Sequence, residues 1–171
     1  MVRRYAMKKY AEEKRNEYLF INIRLAWLDN YINKPEELSA LQWAHEFGIS
    51  LDRIVIEITE EEFNIDEAHI NVASYYKKAG CRIALDDYGK NDSNIDRIAL
   101  LQPDIIKINM DYTHKSEKSH IYREYLKYLS RFAEAEKLGS ARLLEYGTSA
   151  DMEKGEIPDS FVGYAAMAFT G

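Results

Sequence analysis

One cysteine, Cys81, and three prolines are all that the 171 residues hold of either type. A lone cysteine excludes an internal disulfide and fits a chain kept in a reducing cytoplasm, and its apolar setting makes Cys81 a small core residue. No run approaches the roughly 18 apolar residues of a membrane-spanning helix, and no leader of signal-peptide type opens the chain, so neither a membrane segment nor secretion is expected. Basic charge is also short: 23 Lys and Arg stand against 29 Asp and Glu, for a net −6. The opening MVRRYAMKKYAEEKR is locally basic but reads as a solvated helix face, and without a concentrated basic stripe no nucleic acid partner is expected. His45, His69, His114 and His120 show no ligand spacing, which disfavours zinc and places all four on the surface. No Gly-rich phosphate loop follows any strand candidate, which removes support for a nucleotide-binding Rossmann fold.

What is present is a globular balance, 46% hydrophobic and 30% charged, in a length that suits one domain spanning 1–171. Short β-type runs alternate with helical patterns. The strand candidates are 18–23, 53–58, 82–87, 104–109, 141–146 and a weaker 161–166. Helices are expected over 3–16, after Pro35 up to Gly48, from an Asp66 cap to Gly80, from Ser93 to just before Pro103, and as one long element over 117–138 closed by Gly139. This alternation implies parallel strands with crossover helices. An open doubly wound sheet and a β/α barrel both satisfy it.

Polar residues fall at the C-terminal ends of the strands: Asn22, then Glu57 with Glu60, then Asp86 and Asp87, then Lys107 with Asn109, then Glu145. In β/α barrels that rim is where active sites are assembled. Carboxylate and amide oxygens suit Mg²⁺, Mn²⁺ or Ca²⁺. Two adjacent aspartates repel each other unless a cation lies between them, and two ions a few ångström apart would activate water and stabilise the leaving oxygen of a phosphodiester. Tyrosines such as Tyr75, Tyr76, Tyr122, Tyr125 and Tyr128 fall at helix spacings and read as packing, and Trp27 and Trp43 as core or interface anchors.

In order and spacing, the segments FINIR, RIVIEITE, GCRIALDDYG, LLQPDIIKIN and AEKLGSARLLEYGTSAD closely resemble the EAL-domain family, over roughly residues 18–165, with 1–17 as a leading helix. The resemblance implies an EAL-type β/α barrel. It also implies a metal-dependent phosphodiesterase that opens cyclic di-GMP to the linear dinucleotide pGpG in bacterial signalling, with Mg²⁺ or Mn²⁺ as cofactor. By the same resemblance Asn22, Glu57, Asp86 and Asp87 are metal ligands, Lys107 holds the catalytic water, Glu145 is a base near the second metal, and Glu60 anchors the loop after the aspartates. Tyr88 is a candidate to stack on a guanine of the substrate.

The departures from the family pattern define the alternative. No Glu-Ala-Leu motif precedes Asn22, so the barrel is expected to be incomplete, its first strands and one metal-ligating glutamate missing, with a homodimer or protein partner completing the wall. Thr148 stands where the family's E-G-V-E motif has its second glutamate, Val162 replaces the glutamine of Q-G-Y, and Asn109 replaces an aspartate after the lysine. These changes fit a catalytically inactive EAL-like regulatory module that binds a protein partner, or cyclic di-GMP without hydrolysis.

Overall fold

The computed structural model describes residues 2–15, 17–59, 67–88, 95–135 and 142–145. Helix α1 (Val2–Glu12) leads into β1 (Leu19–Ile23), followed by the short α2 (Leu25–Leu28) and α3 (Ser39–Phe47). Then come β2 (Ile54–Thr59), α4 (Glu67–Ala79), β3 (Arg82–Tyr88), α5 (Ile95–Leu101) and β4 (Ile105–Ile108). The helices α6 (Met110–Lys118) and α7 (His120–Ala135) precede β5 (Arg142–Glu145). Single turns of 3₁₀ helix occupy Asp29–Tyr31, Pro35–Glu37 and Leu51–Arg53.

All neighbouring strands pair in parallel, and their order in the sheet is the order of the chain, β1-β2-β3-β4-β5. A doubly wound sheet reverses direction at a switch point and places helices on both faces. Here the strands advance one way without reversal, and right-handed crossovers then put every helix on the same side. The described strands therefore form part of a barrel wall, and the choice left open by the alternation is decided.

Burial follows the pleat. Leu19, Ile21 and Ile23, then Ile54, Ile56 and Ile58, then Ile83 and Leu85, then Ile106 and Ile108 join Met7, Tyr10, Val72, Tyr76, Ile98 and Leu126 in one helix-side core. The alternate positions Val55, Ala84 and Ile105, with Tyr18 and Phe20 against them, form a smaller cluster on the opposite face. Strands apolar on both faces are what a sheet covered on both sides requires.

Three expectations need correction. The long helix expected over 117–138 begins at His120 as α7, and a separate helix outside the expected set, α6, precedes it, parted from it by the extended backbone of Ser119 (φ −129°, ψ 121°). The basic N-terminal helix is not only a solvated face, since it buries Met7 and Tyr10. His69 is not a surface residue: it is 8% exposed, with Nε2 2.8 Å from Asp29 Oδ1. Its stripe on α4 is completed by Val72, Ala73 and Tyr76, all buried at helical spacing. Cys81 is buried as expected, and Gly48 and Gly80 end α3 and α4 in the positive-φ conformation that glycine adopts without strain. The strand candidate 161–166, Asp66, Ser93 and Gly139 lie outside the described residues. Among the described residues no helix is long and apolar enough to cross a membrane.

Candidate functional site

The register explains which side chains meet. Asn22 pairs with Glu57, Glu57 with Ala84, and Ala84 with Ile105. Partners in a parallel ladder share a face, and so do residues two apart on a strand. Asn22, Glu57, Asp86 and Lys107 thus project from the face opposite the helix-side core, at the C-terminal rim above Phe20, Val55, Ala84 and Ile105.

Lys107 is the centre of this group. It is 3% exposed, and its ammonium donates a short hydrogen bond to Glu57 Oε1 while standing 3.0 Å from Asp86 Oδ1. Glu57 lies on β2 and Lys107 on β4, so the bond crosses over β3, where the methyl of Ala84 leaves room. Phe20 lies beside the ammonium, its ring centroid 5.9 Å away. Burial raises the Glu57 carboxyl above the ordinary glutamate value; the charge and hydrogen bond of Lys107 oppose this, and Asp86 and Asp87 add to it. A buried cation between a buried and a half-buried carboxylate is the arrangement in which each charge makes the others tolerable.

The adjacent aspartates part company through the backbone. Leu85 pairs with Ile106 but Tyr88 with Ile108, so β3 carries one residue more than β4 across this stretch. The extra residue is Asp87, in the left-handed region at φ 58°. This is a β-bulge, and it breaks the simple alternation of the two adjacent aspartates across the sheet. The Asp87 amide donates to Asp86 Oδ1 at 3.0 Å, and Asp87 Oδ1 accepts from Asn109 Nδ2 at 3.1 Å. Past the bulge the pleat is inverted, so Tyr88 falls on the helix side, 4% exposed within that core, and is not brought to the rim.

Asn22 is exposed beside Glu57, and its carbonyl accepts from Arg3 Nε at 2.9 Å, tying α1 to the rim. Glu145 closes β5 in register with Ile108; its side chain, together with Glu60, Thr148 and Val162, lies outside the described ones. Sequence reasoning missed Phe20, which the two-residue spacing from Asn22 would have placed on the same face. It also missed the Asn109 contact, which no spacing rule announces.

Among the described residues no three His, Cys, Asp or Glu side chains gather as a metal site. The donor set at the rim is nonetheless all oxygen: the carboxylates of Glu57 and Asp86 and the amide oxygen of Asn22. Hard divalent ions take six or more such ligands, so water or substrate oxygens would supply the remainder. In donor type these residues fit such an ion.

Comparison with known proteins gives one consistent answer. The family model described as EAL domain matches residues 2–139. The EAL-domain containing protein YkuI of Bacillus subtilis (strain 168) is 37% identical over 145 residues, covering 83% of this chain and 34% of that protein. The crystal structure of YkuI in complex with substrate c-di-GMP and calcium superposes with a TM-score of 0.71 at 34% identity, over 88% of this chain and 36% of that one. The EAL domain of Mycobacterium smegmatis DcpA shares the fold, with a TM-score of 0.72 at 22% identity, over 84% of this chain and 65% of that one. This chain therefore spans about a third of the length of YkuI.

Proposed function

Because this chain belongs to the EAL-domain family, we propose that it binds cyclic di-GMP across the C-terminal rim of its sheet and, with a divalent cation, hydrolyses one phosphodiester bond to give linear pGpG. The observation that carries this reading is the convergence of Glu57, Asp86 and Lys107, from three successive parallel strands, on one buried point. YkuI, the relative seen with substrate c-di-GMP and calcium, supports the choice of ligand and ion class.

In this reading Asn22, Glu57 and Asp86 supply oxygen ligands, and Asp87 stands one residue further along the rim. A bound divalent ion would lower the pKa of a coordinated water and stabilise charge on the phosphoryl oxygens. Lys107 holds the attacking water by donating to its oxygen, and its charge opposes the rise that burial imposes on the Glu57 carboxyl. Phe20, Val55, Ala84 and Ile105 close the floor of the site with apolar surface, which strengthens the electrostatic interactions above it.

A second reading, binding without hydrolysis, is favoured by Thr148, which stands where the family pattern has a glutamate. Incubation with cyclic di-GMP and Mn²⁺, followed by chromatography, separates the two. Linear product from the wild type, abolished in Asp86→Asn, supports the phosphodiesterase. Saturable binding without product supports the regulatory module as a cyclic di-GMP binder; neither binding nor product overturns the phosphodiesterase and leaves the module that binds a protein partner.

A further inference from the structure

Asn109 makes four hydrogen bonds where β4 passes into α6, the fourth through its carbonyl, which accepts from the Tyr112 amide at 3.0 Å. Its side-chain Nδ2 donates to Asp87 Oδ1 at 3.1 Å, its Oδ1 accepts from the Asp111 amide at 2.9 Å, and its own backbone amide donates to the Tyr88 carbonyl at 3.0 Å. The first and third contacts grip the bulged end of β3 at the strained residue itself and at the residue after it. The second is the N-cap of α6. An amide can do this because it carries a donor and an acceptor together, whereas an ionised aspartate only accepts.

Asp87 sits at φ 58°, a conformation that an L-residue holds only when its surroundings impose it. The bulge made there turns Tyr88 into the core, and the Asp87 amide donates to the Asp86 carboxylate that meets Lys107. We infer that Asn109 is a positioning residue: its amide locks the Asp87 bulge, and so the placing of Asp86 against Lys107, to the start of α6. The link to catalysis rests on the phosphodiesterase reading above; the lock itself does not.

The test exchanges donor and acceptor. Asn109→Asp keeps the oxygen that caps α6 but sets a second carboxylate against Asp87, while Asp87→Asn combined with Asn109→Asp restores one amide and one carboxylate in reverse order. Amide hydrogen exchange is followed by NMR without any cation. In Asn109→Asp the amides of Asp87 and residue 109 are expected to exchange about tenfold faster, with Asp111 protection kept, and the double variant should return most of the loss. In the wild type the side-chain amide protons of Asn109 should resonate apart from those of free amides, a signature lost in Asp87→Ala.

Unchanged exchange in Asn109→Asp, or a double variant no better protected than the single one, overturns the inference. Should Asn109→Asp fail to fold, Asp87→Ala decides through the Asn109 side-chain signals alone, and their persistence overturns the inference. Absence of turnover in the wild type would count against the phosphodiesterase reading and leave the exchange result standing.

Discussion

Lys107 donates to Glu57 across an intervening strand, and the two side chains are only 4% and 11% exposed. Removing one partner of such a pair leaves an uncompensated buried charge. Lys107→Met is expected to cost about 3–5 kcal/mol in urea denaturation, and adding Glu57→Gln should recover part of that cost. A double variant no more stable than Lys107→Met would show that the pair is not coupled.

The crossing depends on a small residue beneath it. Ala84 is fully buried, pairs with Glu57, and has Val55 and Ile105 beside it. Ala84→Leu should destabilise by about 1–3 kcal/mol through overpacking. It should also remove the extra cost of Lys107→Met, because the pair is already parted. Additive losses in the combined variant would refute this.

The bulge predicts an inverted order of small substitutions. At φ 58° a Cβ is a liability, so Asp87→Gly should be more stable than Asp87→Ala by about 1 kcal/mol. Both variants lose the carboxylate, so their difference in thermal or urea unfolding isolates the backbone.

Tyr76 lies wholly inside the helix-side core, and its hydroxyl finds no hydrogen-bond partner among the described residues. Burial drives its ionisation far above the ordinary tyrosine range. Tyr76→Phe removes an unsatisfied group without changing shape and should stabilise by about 1 kcal/mol. A loss of stability would reveal a partner for that hydroxyl.

Burial pushes the Cys81 thiol up to about 12. The thiolate is the reactive species, so native protein at pH 8 should react with a disulfide reagent roughly a thousandfold more slowly than protein in urea. A group whose folded pKa is raised contributes stability below its unfolded pKa that is lost as pH rises through the folded one. Alkaline titration from pH 9 to 12 should therefore erode wild-type stability relative to Cys81→Ala, and parallel curves would contradict the burial.

Much of this was legible in the residues. The five strands lie within a residue or two of their expected positions because β-branched runs bounded by helical patterns admit little else. Asn22, Glu57, Asp86 and Lys107 share a rim because each stands at the end of its run, and parallel strands align their ends. His69 could have been placed in the core, since it shares a stripe with Val72, Ala73 and Tyr76. The helix α6 could not, because its stretch MDYTHKSEK is mostly polar and offers little apolar periodicity to count.

Alternation, parallel strands and the identity of the rim residues can be read from the residues alone, since those depend on local pattern and chain order. That the helices lie on one face, that Lys107 reaches over Ala84 to Glu57, and that Tyr88 turns inward emerges only in three dimensions. These outcomes depend on register, and one extra residue at Asp87 reverses every side chain beyond it. No pattern counted along the chain registers such a shift.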